Sequence, residues 1–221
     1  MVFAKCPQPG VVKTRLVPSL LPEEAADLYR RMLCDVMAKV TLLTEMERYL
    51  FYEEGREARE YFAERAPGMS CFPQQGKDLG ERMANALRTV FSMGHHAAVV
   101  IGTDSPDLPI SFINKAFGLL ECGGSETVFG PSEDGGYYLV GMTRLYRELF
   151  LDVPWSSERV LRESLKRADE IGITVSLLPI WHDVDIAADL ERAELLDEEN
   201  GAPLTREFIK KWLKRGSGLP C

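Results

Sequence analysis

The chain has 221 residues, of which 45% are apolar and 27% charged, and a formal net charge of −8. Its length suits one large α/β domain over residues 1–221, and the composition is that of an ordinary soluble globular protein. No basic run appears, which argues against a nucleic-acid partner; a nucleotide stays open, because a small anion needs only a local cationic pocket and a metal ion.

A short apolar run, Val2 to Ala4, reads as the end of a first strand. It starts almost at Met1, which points to a misplaced start or a few missing residues and to a fraying strand. A loop with Pro7, Pro9 and Gly10 then delivers Lys13, Thr14 and Arg15 close together. Two cations and a hydroxyl at the carboxyl end of a first strand suit a polyphosphate, with lysine as a mobile point charge and arginine as a planar fork. The alternative is a solvated surface loop.

Pro22-Glu23-Glu24 opens a helix, and Leu28, Met32, Val36 and Val40 mark its buried face. Residues 48–52 read as a strand, 56–65 as a helix, 70–73 as a strand and 80–93 as a helix. Gly80, Arg82 and Asn85 stand in the first turns of that last helix, where free N–H groups can meet an anion or a base edge. A plain helix cap with surface charges is the alternative. Ala97 to Ile101 is continuously apolar, as in a central strand covered on both faces, and it releases Gly102-Thr103-Asp104-Ser105-Pro106-Asp107. Magnesium and manganese take hard carboxylate oxygens, so Asp104 is the first-choice metal ligand. Asp107 either assists through water or caps the turn.

A helix over 113–121 precedes two strands, 127–129 and 137–142, around Gly130-Pro131-Ser132-Glu133-Asp134-Gly135-Gly136. Asp134 there can accept hydrogen bonds from sugar hydroxyls while Gly135 and Gly136 let a ligand come close, or the segment is a plain turn. Ser156 or Ser157 caps a helix to about Ile171, and 173–179 is a strand. Trp181-His182-Asp183-Val184-Asp185 follows, with Asp183 able to face the cleft of Asp104 and complete a metal site. His182 reads as a structural hydrogen-bonding residue, and Asp185 as the cap of a helix from Ala187 to Leu196. A last helix starts near Thr205. The alternation of helices and short apolar strands indicates a layered α/β domain with a mostly parallel sheet.

Cys6, Cys34, Cys71, Cys122 and Cys221 are odd in number and widely spaced. That pattern fits reduced thiols better than a disulfide frame or zinc site; with no signal peptide and no membrane span in the sequence, a cytoplasmic location is expected. There is no P-loop, no G-x-G-x-x-G and no Ser/His/Asp signature.

Five motifs in order resemble a known family: Lys5-Cys-Pro-Gln-Pro-Gly-Val-Val-Lys-Thr-Arg-Leu16, Asp78 to Met83, Thr103 to Leu108, Gly130 to Leu139 and Asp183 to Asp185. Together they look like the rSAM/selenodomain-associated transferases of the nucleotide-diphospho-sugar transferase, or glycosyltransferase-A, superfamily. The resemblance runs from about Phe3 to Leu190. It implies a Rossmann-like α/β/α sandwich with a mixed, mainly parallel sheet, a nucleotide over the amino-terminal half and a second substrate over the other. More distantly the layout is similar to guanylyltransferases, which continue D-G-G with Thr-Asn where Tyr137-Tyr138 stand here. Asp104-Ser-Pro-Asp107 is one residue longer than the D-x-D of glycosyltransferases of this fold.

The resulting expectation is a transferase dependent on Mg²⁺ or Mn²⁺ at Asp104 and Asp183, with Lys13 and Arg15 as catalytic cations. Gly10, Lys13, Thr14, Arg15, Gly80, Arg82 and Asn85 would bind the nucleotide, and Asp134, Gly135 and Gly136 the sugar or acceptor. Sugar transfer from a nucleotide-activated donor to a small-molecule acceptor leads. Nucleotidyl transfer to a phosphorylated acceptor is second, and a non-catalytic nucleotide-binding module third.

Overall fold

The computed structural model describes residues 1–17 and 19–216; Cys221 lies outside them. Seven strands form one sheet: β1 (Val2–Ala4), β2 (Tyr49–Tyr52), β3 (Ser70–Pro73), β4 (Ala98–Ile101), β5 (Thr127–Pro131), β6 (Tyr137–Met142) and β7 (Val175–Leu177). Their order is β3-β2-β1-β4-β6-β5-β7, and β6 alone runs against its neighbours β4 and β5. The loops that leave β1, β3, β4, β5 and β7 therefore share the edge at which β6 begins. Parallel α/β sheets bind ligands at this edge.

Side chains alternate across the strands, and each face of the sheet is covered. Phe3, Phe51, Val100 and Phe129 pack with Met83, Leu87 and Val90 of α3 (Leu79–Ser92) and with Ala168 of α5 (Val160–Glu170). On the other face, Val99, Ile101 and Val128 meet Val36 and Val40 of α1 (Pro22–Thr41) and Ile113 and Leu120 of α4 (Ile110–Glu121), while Leu50 meets Phe62 of α2 (Arg56–Arg65). The result is an α/β/α sandwich with a mixed, mainly parallel sheet. Each fully buried phenylalanine or leucine of these layers contributes about 1.5–3 kcal/mol. Outside the sandwich, α6 (Ala193–Leu196) and α7 (Pro203–Gly216) bring Leu195 and Ile209 against Leu28 and Met32 of α1. Asp35 of α1 fixes that contact by accepting from Thr205 Oγ1 at 2.7 Å and from the Thr205 and Leu204 amides at 2.8 and 3.2 Å.

β1 is paired on both sides, and its terminal amine donates to Val99 O at 2.6 Å. Several boundaries differ from the sequence reading. The helix assigned to Ser156 or Ser157 starts at Val160, because Ser156 is left-handed (φ 64°) and Ser157 Oγ closes a turn by donating to Pro154 O at 2.6 Å. The helix assigned from Ala187 is a 3₁₀ turn, Ala187–Glu191, broken from α6 by extended Arg192. Its cap is Asp189, whose Oδ2 accepts from the amides of Asp185 and Ile186 at 2.8 Å each, so Asp185 is left for other work. A 3₁₀ turn over Thr14–Leu16 inside the basic loop carries no sequence signal that helix periodicity detects.

Gly80, read above as a nucleotide contact, is a packing residue. A Cβ there would lie 2.6 Å from Phe150 O and 2.7 Å from the Trp155 ring. Gly80→Ala is expected to lower stability by about 1–3 kcal/mol, the usual cost of overpacking, as read by urea denaturation. An unchanged midpoint would contradict this packing.

Candidate active site

A cavity of about 520 Å³ opens at the shared strand edge. Of the expected site residues, Lys13, Thr14, Arg15, Arg82 and Asp104 line it, and Asp185 and Ser156 complete its far side. Lys13 adopts a left-handed backbone (φ 49°) that turns its side chain inward, leaving it 4% exposed. Its ammonium pairs with Asp104 Oδ1 and lies 3.0 Å from Asp185 Oδ1. Burial opposes the charge, and the two carboxylates outweigh it, holding Lys13 above the ordinary lysine range. Arg15 is 66% exposed at the mouth, its Nη1 3.7 Å from Asp185 Oδ2.

Asp104 and Asp185 meet although β7 lies at the far edge of the sheet. After β7 the chain turns back over the strand ends: Trp181 N donates to Pro131 O at 3.0 Å, Glu133 N to Trp181 O at 3.1 Å, and Val184 N to Asp104 O at 2.9 Å. Asp183 Oδ1 accepts from Ser105 Oγ at 2.7 Å. Its burial pushes the carboxyl up to about 6, the Ser105 bond works against that rise, and the charges of Asp104, Asp134 and Asp185 add to it.

The second acid of the Asp104 loop has a structural place. Asp107 is buried, with Oδ2 3.0 Å from His182 Nε2 and Oδ1 3.4 Å from Trp181 Nε1. Burial works against charge on His182, and Asp107 overcomes it to raise the imidazole pKa. Lys39 of α1 donates to Pro106 O at 2.8 Å and Leu108 O at 2.7 Å. Burial lowers its ammonium to about 8, with Asp107 and Asp35 opposing. Lys39 was invisible as a site residue in sequence, and the available signal was a cation between Val36 and Val40 on the apolar face of α1.

Of the other expected residues, Gly10, Gly80, Asn85, Asp134, Gly135, Gly136 and Asp183 stand off the cavity wall. Asn85 Nδ2 donates to Gln75 O at 2.7 Å. Asp134 Oδ1 accepts from Ser132 Oγ at 2.5 Å and Gly136 N at 2.9 Å, closing its own turn. Gly135 (φ 86°) abuts the chain before α5, where a Cβ would lie 2.1 Å from Glu158 O. Gly10 (φ 75°) shapes the basic loop. Arg82 lies between Glu53 (3.2 Å) and Gly76 O (3.3 Å). Tyr137 and Tyr138 also line the cavity, but their rings pack on opposite faces of the sheet, Tyr137 against Phe129 and Trp155 and Tyr138 against Phe112, and Tyr138 Oη donates to Pro179 O at 2.9 Å.

A divalent cation is compatible with this donor set in kind: hard carboxylate oxygens, and a positive group, the Lys13 ammonium, already standing between two of them. Among the described residues, no three Asp, Glu, His or Cys side chains converge on one point. No helix among them is long and apolar enough to cross a membrane.

A family model described as an uncharacterized protein conserved in bacteria (DUF2064) matches residues 36–157. The chain belongs to the DUF2064 family. The crystal structure of a Desulfovibrio desulfuricans G20 protein, assigned as a nucleotide-diphospho-sugar transferase, is 30% identical and superposes with a TM-score of 0.84 over 96% of both chains. A cytidylyltransferase from Leptospira borgpetersenii (14% identity, TM-score 0.57, 100% of this chain and 96% of that one) shares the fold. So does the inositol-1-phosphate CTP transferase of T. maritima (17%, TM-score 0.51, 100% and 97%). No curated protein sequence matches the DUF2064 chain.

The raised carboxyl of Asp183 predicts a pH effect. The folded protein keeps a proton that the unfolded chain releases near its ordinary value of 3.8, so stability falls as pH rises from there to about 6. Urea midpoints across this window should decline in the wild type and flatten in Asp183→Asn; equal slopes would contradict the assignment.

Proposed function

We propose that this DUF2064 protein is a metal-dependent transferase that moves a sugar from a nucleoside diphosphate sugar to an acceptor without a phosphate group. The observation that carries this reading is the gathering of four cations and two carboxylates around one cavity at the strand edge. The cations Lys5, Lys13, Arg15 and Arg82 line it together with the carboxylates Asp104 and Asp185, and Lys13 stands between the two acids. Asp183 stands close enough to Asp104, Asp185 and Asp134 to feel their charge. Arg192, a nearby cation, is spent on Glu133 (2.7 Å) and Asp189 (3.3 Å). Anionic phosphates suit the four cations, and an acceptor without charge avoids repulsion by the acids.

Lys13 and Arg15 would hold the diphosphate and neutralise the charge that grows on it as the glycosidic bond breaks. Asp104 with Asp185 or Asp183 would hold Mg²⁺ or Mn²⁺, which when bound supplies Lewis-acid stabilisation of the phosphate oxygens. Arg82 would face the nucleoside side. The finer placement among rSAM/selenodomain-associated transferases rests on the five sequence motifs. The name of the Desulfovibrio relative agrees with sugar transfer. Nucleotidyl transfer from a triphosphate is the second reading, favoured by the exposure of Arg15 at the mouth, where a third phosphate would extend.

Calorimetric titration of nucleoside di- and triphosphates and nucleotide sugars with Mn²⁺ or EDTA tests both. Sugar transfer predicts metal-dependent binding of a nucleotide sugar, lost in Asp104→Ala and weakened about tenfold or more in Arg15→Ala, the scale of one charged hydrogen bond. Preference for a bare triphosphate would favour the second reading, and binding unaffected by these variants would remove the proposal.

A further inference from the structure

Three of the four oxygens on the Asp104–Asp185 pair already face cations of the chain itself. Asp104 Oδ1 and Asp185 Oδ1 hold the Lys13 ammonium, and Asp185 Oδ2 faces Arg15. A lysine ammonium and a divalent ion cannot share the same carboxylate oxygens at contact distance, since like charges that close repel by several kcal/mol even at the effective dielectric of a protein surface. The backbone at Lys13 is left-handed, a conformation that costs a non-glycine residue roughly 1–2 kcal/mol and persists where surrounding contacts hold it. The contacts at Lys13 include the two ion pairs and the hydrogen bond from Leu16 N to Lys13 O at 3.0 Å. The side chain that pairs with the carboxylates is also the one best placed to pair with phosphate.

We infer that Lys13 is an internal occupant of the cation site: in the nucleotide-free protein it blocks metal binding at Asp104 and Asp185, and it leaves them only when a polyphosphate takes its charge. This rests on the cation-binding role proposed for those carboxylates and adds an order to it. Metal and polyphosphate load together, neither binding tightly alone, and by linkage each raises the affinity of the other by the same factor. The Gly10–Leu16 segment is then a two-position element, with Lys13 on the acids in one position and on the phosphates in the other. A fixed staple between the loop and the sheet would have the same contacts but no exchange.

Mn²⁺ titrated against the full chain without nucleotide, followed by the paramagnetic resonance signal of the free ion, tests the block; the same titration with a nucleoside diphosphate, corrected for its own chelation, tests the exchange, since a fixed staple would leave the Mn²⁺ affinity of the wild type unchanged. Lys13→Met is expected to bind Mn²⁺ about tenfold or more tightly than wild type, within the usual range of coupling between sites. The double variant Lys13→Met/Asp104→Asn should lose the gain. Should Lys13→Met fail to fold, Lys13→Gln, neutral and able to donate to Asp104, carries the same expectation. Variants that bind no tighter than wild type overturn the inference. A gain in Mn²⁺ affinity without nucleotide binding by any form would keep the block by Lys13 but remove the exchange and the proposed function; nucleotide binding without the gain would overturn the inference and keep the proposed function.

Discussion

The ion cluster of Lys13, Asp104 and Asp185 is the contact on which the architecture of the site depends. It joins the loop after β1, the loop after β4 and the returning segment after β7, which lie far apart in sequence. Sheet order places β1 beside β4, so the first pair is a matter of neighbouring strand ends. The third member arrives because the chain doubles back over β5 and β6, tied down by backbone hydrogen bonds at Trp181 and Val184. Two half-exposed carboxylates and one buried ammonium therefore form an electrostatic centre at the strand edge.

Behind that centre lies a second layer that touches no part of the cavity. Lys39 binds two carbonyls of the loop after Asp104, and Asp107 binds Trp181 and His182 of the loop before Asp183. The two acidic loops are thus tied to each other by the Asp107 contacts and to α1 by the Lys39 hydrogen bonds. Asp35, one turn before Lys39, fastens α7 to the same helix. Helix α1 is in this sense the frame of the site, although its own cavity-lining residue is only Tyr29, whose hydroxyl spans Lys5 N (2.8 Å) and Thr103 Oγ1 (3.0 Å).

Much of this was legible in sequence, for physical reasons. Strands and helices followed from apolar periodicity, and Val99–Ile101 announced a strand covered on both faces. Lys13, Arg15 and Asp104 were legible because charged groups just past short apolar strands have one edge to go to. The role of Asp185 was not. As the residue before a helical stretch it carried the pattern of a cap, and only the three-dimensional return of the chain assigns it to Lys13 while Asp189 does the capping. Glycines misled for a similar reason: Gly80 and Gly135 permit close packing against Trp155 and Glu158, and sequence does not distinguish a neighbour that is protein from one that is ligand. Lys39 was hidden because a lysine on a helix is read as solvated unless its partners are known.

The most direct test is a crystal structure of the protein with a nucleoside diphosphate and Mn²⁺, read at Lys13 and by the anomalous signal of manganese. The account predicts the Lys13 ammonium on phosphate oxygens, away from Asp104, with manganese between Asp104 and the returning acidic segment. Lys13 still seated between Asp104 and Asp185, with the nucleotide bound elsewhere, would contradict it.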